Sequence, residues 1–228
     1  MFRLFHRAQP ALGPRHPHHP GWLEYTPTIT VRNQRLRLRP LEKNDGDLWS
    51  EMRIYDQHHL QPVEPTVGTY WEKAHSMQAW REMYINLRQS AYAGHLLPFV
   101  IELNGEFAGQ LTIGNIQHGT VSDAWIGYWV FSAHTGKGVA TAACALGIDH
   151  AFARVGLHRL TATHLPDNHA SNKVLMANGF KQEGYLRKNL HINGQWRDHI
   201  LLGLTRDDYP TTATNRLMAA GKIQKHFR

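Results

Sequence analysis

Residues 125–143 read Trp-Ile-Gly-Tyr-Trp-Val-Phe-Ser-Ala-His-Thr-Gly-Lys-Gly-Val-Ala-Thr-Ala-Ala. An aromatic, β-branched run feeds a Gly-Lys-Gly turn that opens into an alanine-rich stretch, which reads as a strand, a short loop and a helix in direct succession. Gly136 and Gly138 carry no Cβ, so their backbone can take unusual dihedrals and approach a ligand closely. The first turn of the following helix adds unpaired N–H groups and a partial positive charge. Such a loop is sized for a pyrophosphate. A Walker loop requires G-x-x-x-x-G-K-[ST] and a dinucleotide fold requires G-x-G-x-x-G with a downstream acid; neither spacing is met here.

Two further segments follow in order. A strand over Arg159–Leu165 leads to Asn168-His-Ala-Ser171-Asn172-Lys-Val-Leu-Met-Ala-Asn-Gly179-Phe180, a helix for which Asn168 or Ser171 is a good N-cap and Gly179 a left-handed stop. Gly184 to Leu202 then reads as two strands joined at Asn193-Gly194, a strong hairpin signal. The Thr135–Ala140 loop resembles the acetyl-CoA loop of the GNAT acyltransferase superfamily, Q/R-x-x-G-x-G/A, with Thr135 at the position where that family usually has Gln or Arg. The Asn168–Phe180 segment is similar to the N-x-x-S helix of the same superfamily. The closing hairpin, with Leu36-Arg-Leu-Arg-Pro-Leu and the Gly109–Gly114 strand, resembles the RimJ/RimL branch, whose members acetylate α-amino groups of ribosomal proteins. The likeness covers residues 34–208.

The resemblance implies an α/β (α+β) fold, with a central mixed, mostly antiparallel sheet flanked by helices and splayed in the middle to hold acetyl-CoA. It implies an acyltransferase with acetyl-CoA as co-substrate, no metal and no covalent intermediate. Tyr128, Trp129 and Val130 would hold the pantetheine arm, with the Val130 N–H aimed at the thioester oxygen. Thr135, Gly136, Lys137, Gly138, Val139, Ala140 and Thr141 would cradle the pyrophosphate; a solvated loop charge is an equal reading of Lys137. Asn168 would bind pantetheine or water. Many relatives place a tyrosine acid where this chain has Leu175, so Ser171 becomes the candidate acid toward sulfur, beside its reading as an N-cap.

A general base is harder to place. Where many relatives carry Glu this chain has Trp125, and the acidic position of some RimL-type enzymes falls near Leu190. His191, Asp198 and Glu102 remain as candidates. An α-amine with pKa near 8 is about one-tenth neutral at pH 7, whereas a lysine near 10.4 is neutral only about once in 2,500. A missing base therefore favours an α-amine acceptor, which the resemblance implies is a protein N-terminus, that of a ribosomal protein beginning with Ala or Ser. Two alternatives stand beside it: acetylation of a small-molecule amine such as an aminoglycoside or polyamine, and a catalytically weak, ribosome-associated binding protein with the same fold.

Composition agrees with one soluble domain carrying extensions. The 228 residues suffice for a real core. No apolar run approaches the ~18 residues that cross a bilayer, and the N-terminus lacks a continuous apolar signal segment, so a cytoplasmic protein without a membrane partner is expected. Cys144 is the single cysteine, which excludes an internal disulfide and reads as a small core side chain. Residues 1–24 read as a flexible basic extension rich in His and Pro, a composition shared by disordered segments and transit peptides. His16, His18 and His19 flank Pro17 without fixed geometry and read as adventitious metal ligands. Residues 25–209 form the expected acetyltransferase domain and 210–228 a basic tail with a short helix. The net charge of +7 favours anionic partners and weak ribosome or RNA contact through both ends, although no nucleic-acid-binding module is present.

The periodicity predicts a helix over 43–58, a break at Pro62 and Pro65, and a Trp- and Met-rich helical stretch over 70–93, which the resemblance implies also walls the acceptor cleft. Strands are expected at 36–40, 97–103, 107–116 and 123–130, with turns at Asn104-Gly105 and His118-Gly119-Thr120, followed by a helix over 138–154.

Overall fold

The computed structural model describes residues 23–226. The expectations for residues 1–22, including His16, His18 and His19, lie outside the described residues. Among the described residues nine strands form one sheet: β1 (Ile29–Val31), β2 (Gln34–Pro40), β3 (Leu96–Leu103), β4 (Glu106–Gln117), β5 (Asp123–Val130), β6 (Arg159–His164), β7 (Lys181–Ile192), β8 (Gln195–Thr205) and β9 (Gln224–Lys225). Their order is β7-β8-β6-β5-β4-β3-β2-β1-β9. Every neighbouring pair is antiparallel except β5–β6, which are joined through a helix, as a parallel crossover requires. The expected mixed, mostly antiparallel sheet is present.

Side-chain alternation along the strands builds two cores. In β3, Leu97, Phe99, Ile101 and Leu103 face the larger core, while Val100 points to the other side with Leu41, Trp49, Trp80 and Phe107. The second side is covered by α1 (Gly46–Tyr55), α2 (Gln57–Leu60), α3 (Trp71–Ala74) and α4 (Met77–Tyr92). The first is covered by α5 (Val139–Asp149), α6 (His169–Ala177) and α7 (Ala213–Ala219). The turns follow their glycines: Asn193 and Gly194 have φ of 43° and 83°, and Asn104 and Gly105 have 56° and 96°, the paired positive values of tight hairpin turns.

Three elements differ from expectation. The helix over 43–58 is a short 3-10 turn at Lys43–Asp45 followed by α1 and α2, interrupted at Asp56, whose carboxylate accepts the Ser132 N–H at 2.7 Å. The 70–93 stretch breaks at His75, and Ser76 caps α4 by accepting the Ala79 N–H at 3.3 Å. Both breaks follow from polar contacts that periodicity does not register. The segment after 209 is not a detached tail. Asp149, at the end of α5, accepts the Ala213 and Thr214 N–H groups at 2.7 and 3.1 Å, Leu217 and Ile223 are buried in the larger core, and β9 pairs with β1. Its apolar residues have a surface to cover, which its basic composition obscured.

Candidate active site

Strands β5 and β6 pair only over Asp123↔Arg159, Ala124↔Leu160 and Trp125↔Thr161. Beyond Trp125 they part, and the gap opens on a cavity of about 560 Å³. On its other edge β5 stays bonded to β4, with Gly109↔Val130 and Leu111↔Tyr128 in register. The Phe131 N–H donates to the Ala108 carbonyl at 2.9 Å. Antiparallel pairs alternate between bonded and non-bonded positions, so the backbone groups of Val130 and Tyr128 turn away from β4, toward the gap. Ala108 is the extra residue where the β3–β4 register shifts. The adjoining Gly109 has φ +152°, and a Cβ there would lie 2.3 Å from the Trp129 carbonyl oxygen. Only glycine lets β4 approach the cavity strand this closely.

The chain leaves β5 through a 3-10 turn at Ser132–His134, in which Thr135 Oγ1 donates to the Ser132 carbonyl at 2.8 Å. Gly136 and Gly138 have φ of 69° and 81°, the left-handed values their lack of a side chain permits. Gly138 is the N-cap of α5, and the Ala142 N–H donates to its carbonyl at 3.0 Å. The Val139, Ala140 and Thr141 N–H groups therefore precede the first full helical bond and face outward, the arrangement of an anion site. Tyr128, Trp129, Val130, Thr135, Gly136, Gly138, Val139, Ala140, Thr141, Asn168 and Ser171 all line the cavity. Lys137 lines a neighbouring cavity of about 610 Å³, where its ammonium donates to the Ala133 carbonyl at 2.8 Å.

The geometry separates the two readings of Ser171. Asn168 is the N-cap of α6, its Oδ1 accepting the Ser171 N–H at 3.1 Å. The Ser171 hydroxyl is thus free of capping and lies 3.3 Å from the Tyr128 hydroxyl, which also reaches the Ser171 carbonyl at 3.4 Å. Burial pushes the Tyr128 phenol well above its ordinary pKa, so it holds its proton. Tyr128 thus brings a phenol to Ser171 from the facing strand, whereas Leu175 is a buried core residue. That pairing across the gap was not visible in the spacing along the chain.

None of the three candidate bases lines the cavity. Glu102 is held by Arg37 and Arg39. Asp198 accepts from the Tyr185 hydroxyl and the Lys188 N–H, each at 2.7 Å, and His191 pairs with Thr66 Oγ1 at 2.9 Å. The titratable groups that do line it, besides Tyr128 and Lys173, are Glu64, His134, His164 and His199. Glu64 is ion-paired with Arg53. Burial and the nearby Lys137 hold the His134 pKa below its ordinary value. His164 follows Leu160 and Ala162 on the inward face of β6 and reads in sequence as an ordinary core position. Trp125, at the place of the missing glutamate, lies across Gly114, where a Cβ would be 2.2 Å from its ring. Cys144 is buried, and burial raises its thiol pKa. The described residues contain no group of three metal-ligating side chains and no helix long and apolar enough to cross a membrane.

Comparison with known proteins bears on this arrangement. A family model described as an acetyltransferase (GNAT) domain matches residues 35–181. Mycobacterium smegmatis RimJ, solved in complex with CoA-disulfide, is 47% identical, with a TM-score of 0.89 over 91% of this chain and 100% of that one. The ribosomal protein uS5-alanine N-acetyltransferase of Escherichia coli (strain K12) is 28% identical over 191 residues, 83% of this chain and 97% of that protein. The probable N-acetyltransferase YjcK of Bacillus subtilis (strain 168) is 42% identical over 100 residues, 44% of this chain; the match spans 55% of that relative's length.

Proposed function

The chain belongs to the GNAT acetyltransferase family, and from that premise we propose that it transfers the acetyl group of acetyl-CoA to the α-amino group of a protein N-terminus, that of a ribosomal protein beginning with Ala or Ser. The observation that carries the reading is the parting of β5 and β6, which opens a cavity with backbone groups of Val130 on one side and Ser171 on the other. The left-handed glycines and the α5 N-terminus fit a pyrophosphate. The Gly136 position has open space where a Cβ would stand. Acetyl-CoA, when bound, supplies an activated thioester carbonyl.

The residues then divide the work. Gly136 to Thr141 present N–H groups to the diphosphate, and Asn168 fixes the start of α6. The Val130 N–H is a preorganised donor for the oxygen that gains charge as the amine attacks. The Tyr128–Ser171 pair faces sulfur as the proton source: burial keeps the phenol protonated, so it can donate to Ser171 Oγ and leave the serine O–H for the charge that develops on sulfur. No covalent intermediate is needed, since orientation of the two reactants replaces it.

The acceptor class is supported by the likeness to a ribosomal protein uS5-alanine N-acetyltransferase and by the acids lining the cavity. Glu64 is the single Asp or Glu among its described lining residues, and it is engaged by Arg53. A polycationic small amine finds no free carboxylate patch there, and a noncatalytic scaffold has no need of the glycine loop. The exposed Lys222 after α7 and the charge of +7 support weak contact of this cytoplasmic enzyme with ribosomal RNA through its basic ends. The test is direct. With acetyl-CoA at pH 7, a peptide with a free N-terminal Ala is acetylated far faster than a blocked peptide with an internal Lys, because its amine is about 2.4 pKa units easier to deprotonate. Lysine products equal to or exceeding Nα products by mass spectrometry would overturn the acceptor assignment.

A further inference from the structure

We propose that His199 is the general base of the transfer, an inference that rests on the acetyl transfer to an amine described above. The cavity passes through the sheet. Ala124, Ile126, Leu160 and Ala162 pack in the core beneath α5 and α6, with Tyr128 packed against it, and His164 lies on the same face of β6. The alternate residue Trp129 packs on the opposite side, with Trp49 and Trp80. In β8, which pairs His164↔Ile200 and Ala162↔Leu202, Ile200 and Leu202 belong with the α5 side. His199, one residue away, therefore points to the other side, yet it lines the same cavity, as do Glu64 and Pro65 from the segment after α2. The thiolate-facing pair, Tyr128 and Ser171, is on the α6 side. An amine entering from the opposite side meets His199.

The imidazole is prepared for that role. It is buried, with 3% exposure, and its Nδ1 lies 3.1 Å from the Arg197 carbonyl. A carbonyl only accepts, so Nδ1 carries the hydrogen and Nε2 the lone pair. Burial holds the ring below its ordinary pKa, and it is neutral at pH 7. The charged and titratable groups around it are His164 on β6 and Arg197 and Asp198 on its own strand, with Glu64 across the cavity occupied by Arg53. His164 has its Nε2 buried without a hydrogen-bond partner while its Nδ1 donates to the Leu165 carbonyl at 2.7 Å; it stands on the α6 side with Tyr128.

The proton balance closes without a further reactant. A neutral α-amine forms the C–N bond, and its nitrogen becomes cationic, so its proton is far more acidic than that of a free ammonium. A weakly basic imidazole therefore suffices to take it at Nε2. The C–S bond breaks, the thiolate takes a proton from the Tyr128–Ser171 pair, and the imidazolium gives its proton to solvent, from which the pair is reprotonated.

The experiment uses the full chain, acetyl-CoA and an N-terminal Ala peptide, with His199→Ala and His199→Gln; the glutamine keeps an amide donor for the Arg197 carbonyl. Both variants are expected to lose about 10²- to 10⁴-fold in kcat, the range of general-base catalysis, with acetyl-CoA affinity unchanged. Added imidazole is expected to restore part of the His199→Ala rate, which a packing role does not predict. Wild-type enzyme inactive on this peptide but active on another amine would overturn the acceptor reading and leave the base to be tested on that amine. Active wild type with both variants within about threefold, or a loss without imidazole rescue while donor affinity is intact, would overturn the assignment of His199.

Discussion

Replacing Ser171 by Ala removes one hydroxyl whose only hydrogen bond among the described residues is the 3.3 Å contact with Tyr128. The phenol keeps the Ser171 carbonyl as an acceptor at 3.4 Å, so no buried polar group is orphaned, and the stability cost is that of one long hydrogen bond, about 0.5–1 kcal/mol. The cap of α6 is untouched, because Asn168 provides it through its own Oδ1. Asn168→Ala is the matched control: it removes the cap and costs about 1 kcal/mol, which lowers Tm by about 2–4 °C in a protein of this size. If the Ser171 hydroxyl protonates or hydrogen-bonds the departing thiolate, its contact strengthens as charge builds on sulfur, and it acts on the transition state more than on bound donor. Ser171→Ala is then expected to lower kcat by about 10- to 1,000-fold with acetyl-CoA affinity little changed. The assay is thiol release on stopped time points, with calorimetric donor affinity and Tm on the same preparations. A kcat within about twofold of wild type, with the melting temperature lowered as much as in Asn168→Ala, refutes the reasoning.

Two other outcomes are expected. Gly138→Glu puts a side chain on a residue with φ +81° and a negative charge at the α5 N-terminus, so calorimetric CoA affinity collapses while the buried core persists; unchanged affinity removes the loop from the binding site. His75, packed between the tilted rings of Trp49 and Trp71 with its Nδ1 donating to the Trp71 carbonyl at 2.8 Å, is lowered to about 4 from 6.5 by burial and by Arg53. The unfolded chain therefore binds this proton below about pH 6.5 while the folded chain does not until about pH 4. Stability falls as pH drops through that window, and a melting-temperature profile in which His75→Gln shows the same decline would refute it.

The parts of this molecule that were legible before the structure are those in which local chemistry decides. Gly136, Gly138 and the Asn193-Gly194 turn need positive φ, and the alanine-rich run after Gly138 has no polar face to expose, so the loop, its helix and the hairpin follow from neighbouring residues alone. The breaks at Asp56 and His75 and the docking of α7 on Asp149 depend on partners distant in sequence: Ser132 for Asp56, Ala213 and Thr214 for Asp149. The active site divides along the same line. The proposed donor half lies in two contiguous segments, 128–141 and 168–171, so its candidate residues can be named from sequence, and all of them but Lys137 line the one cavity. The acceptor half has no contiguous segment. His199 and Glu64 share a cavity only because β5 and β6 separate after Trp125, and strand alternation places His199 inside without saying what it faces. A histidine on an inward strand position is chemically silent until a missing neighbour strand opens it to a substrate, which is why the splay that makes room for the donor also turns a core residue of β8 into the candidate base.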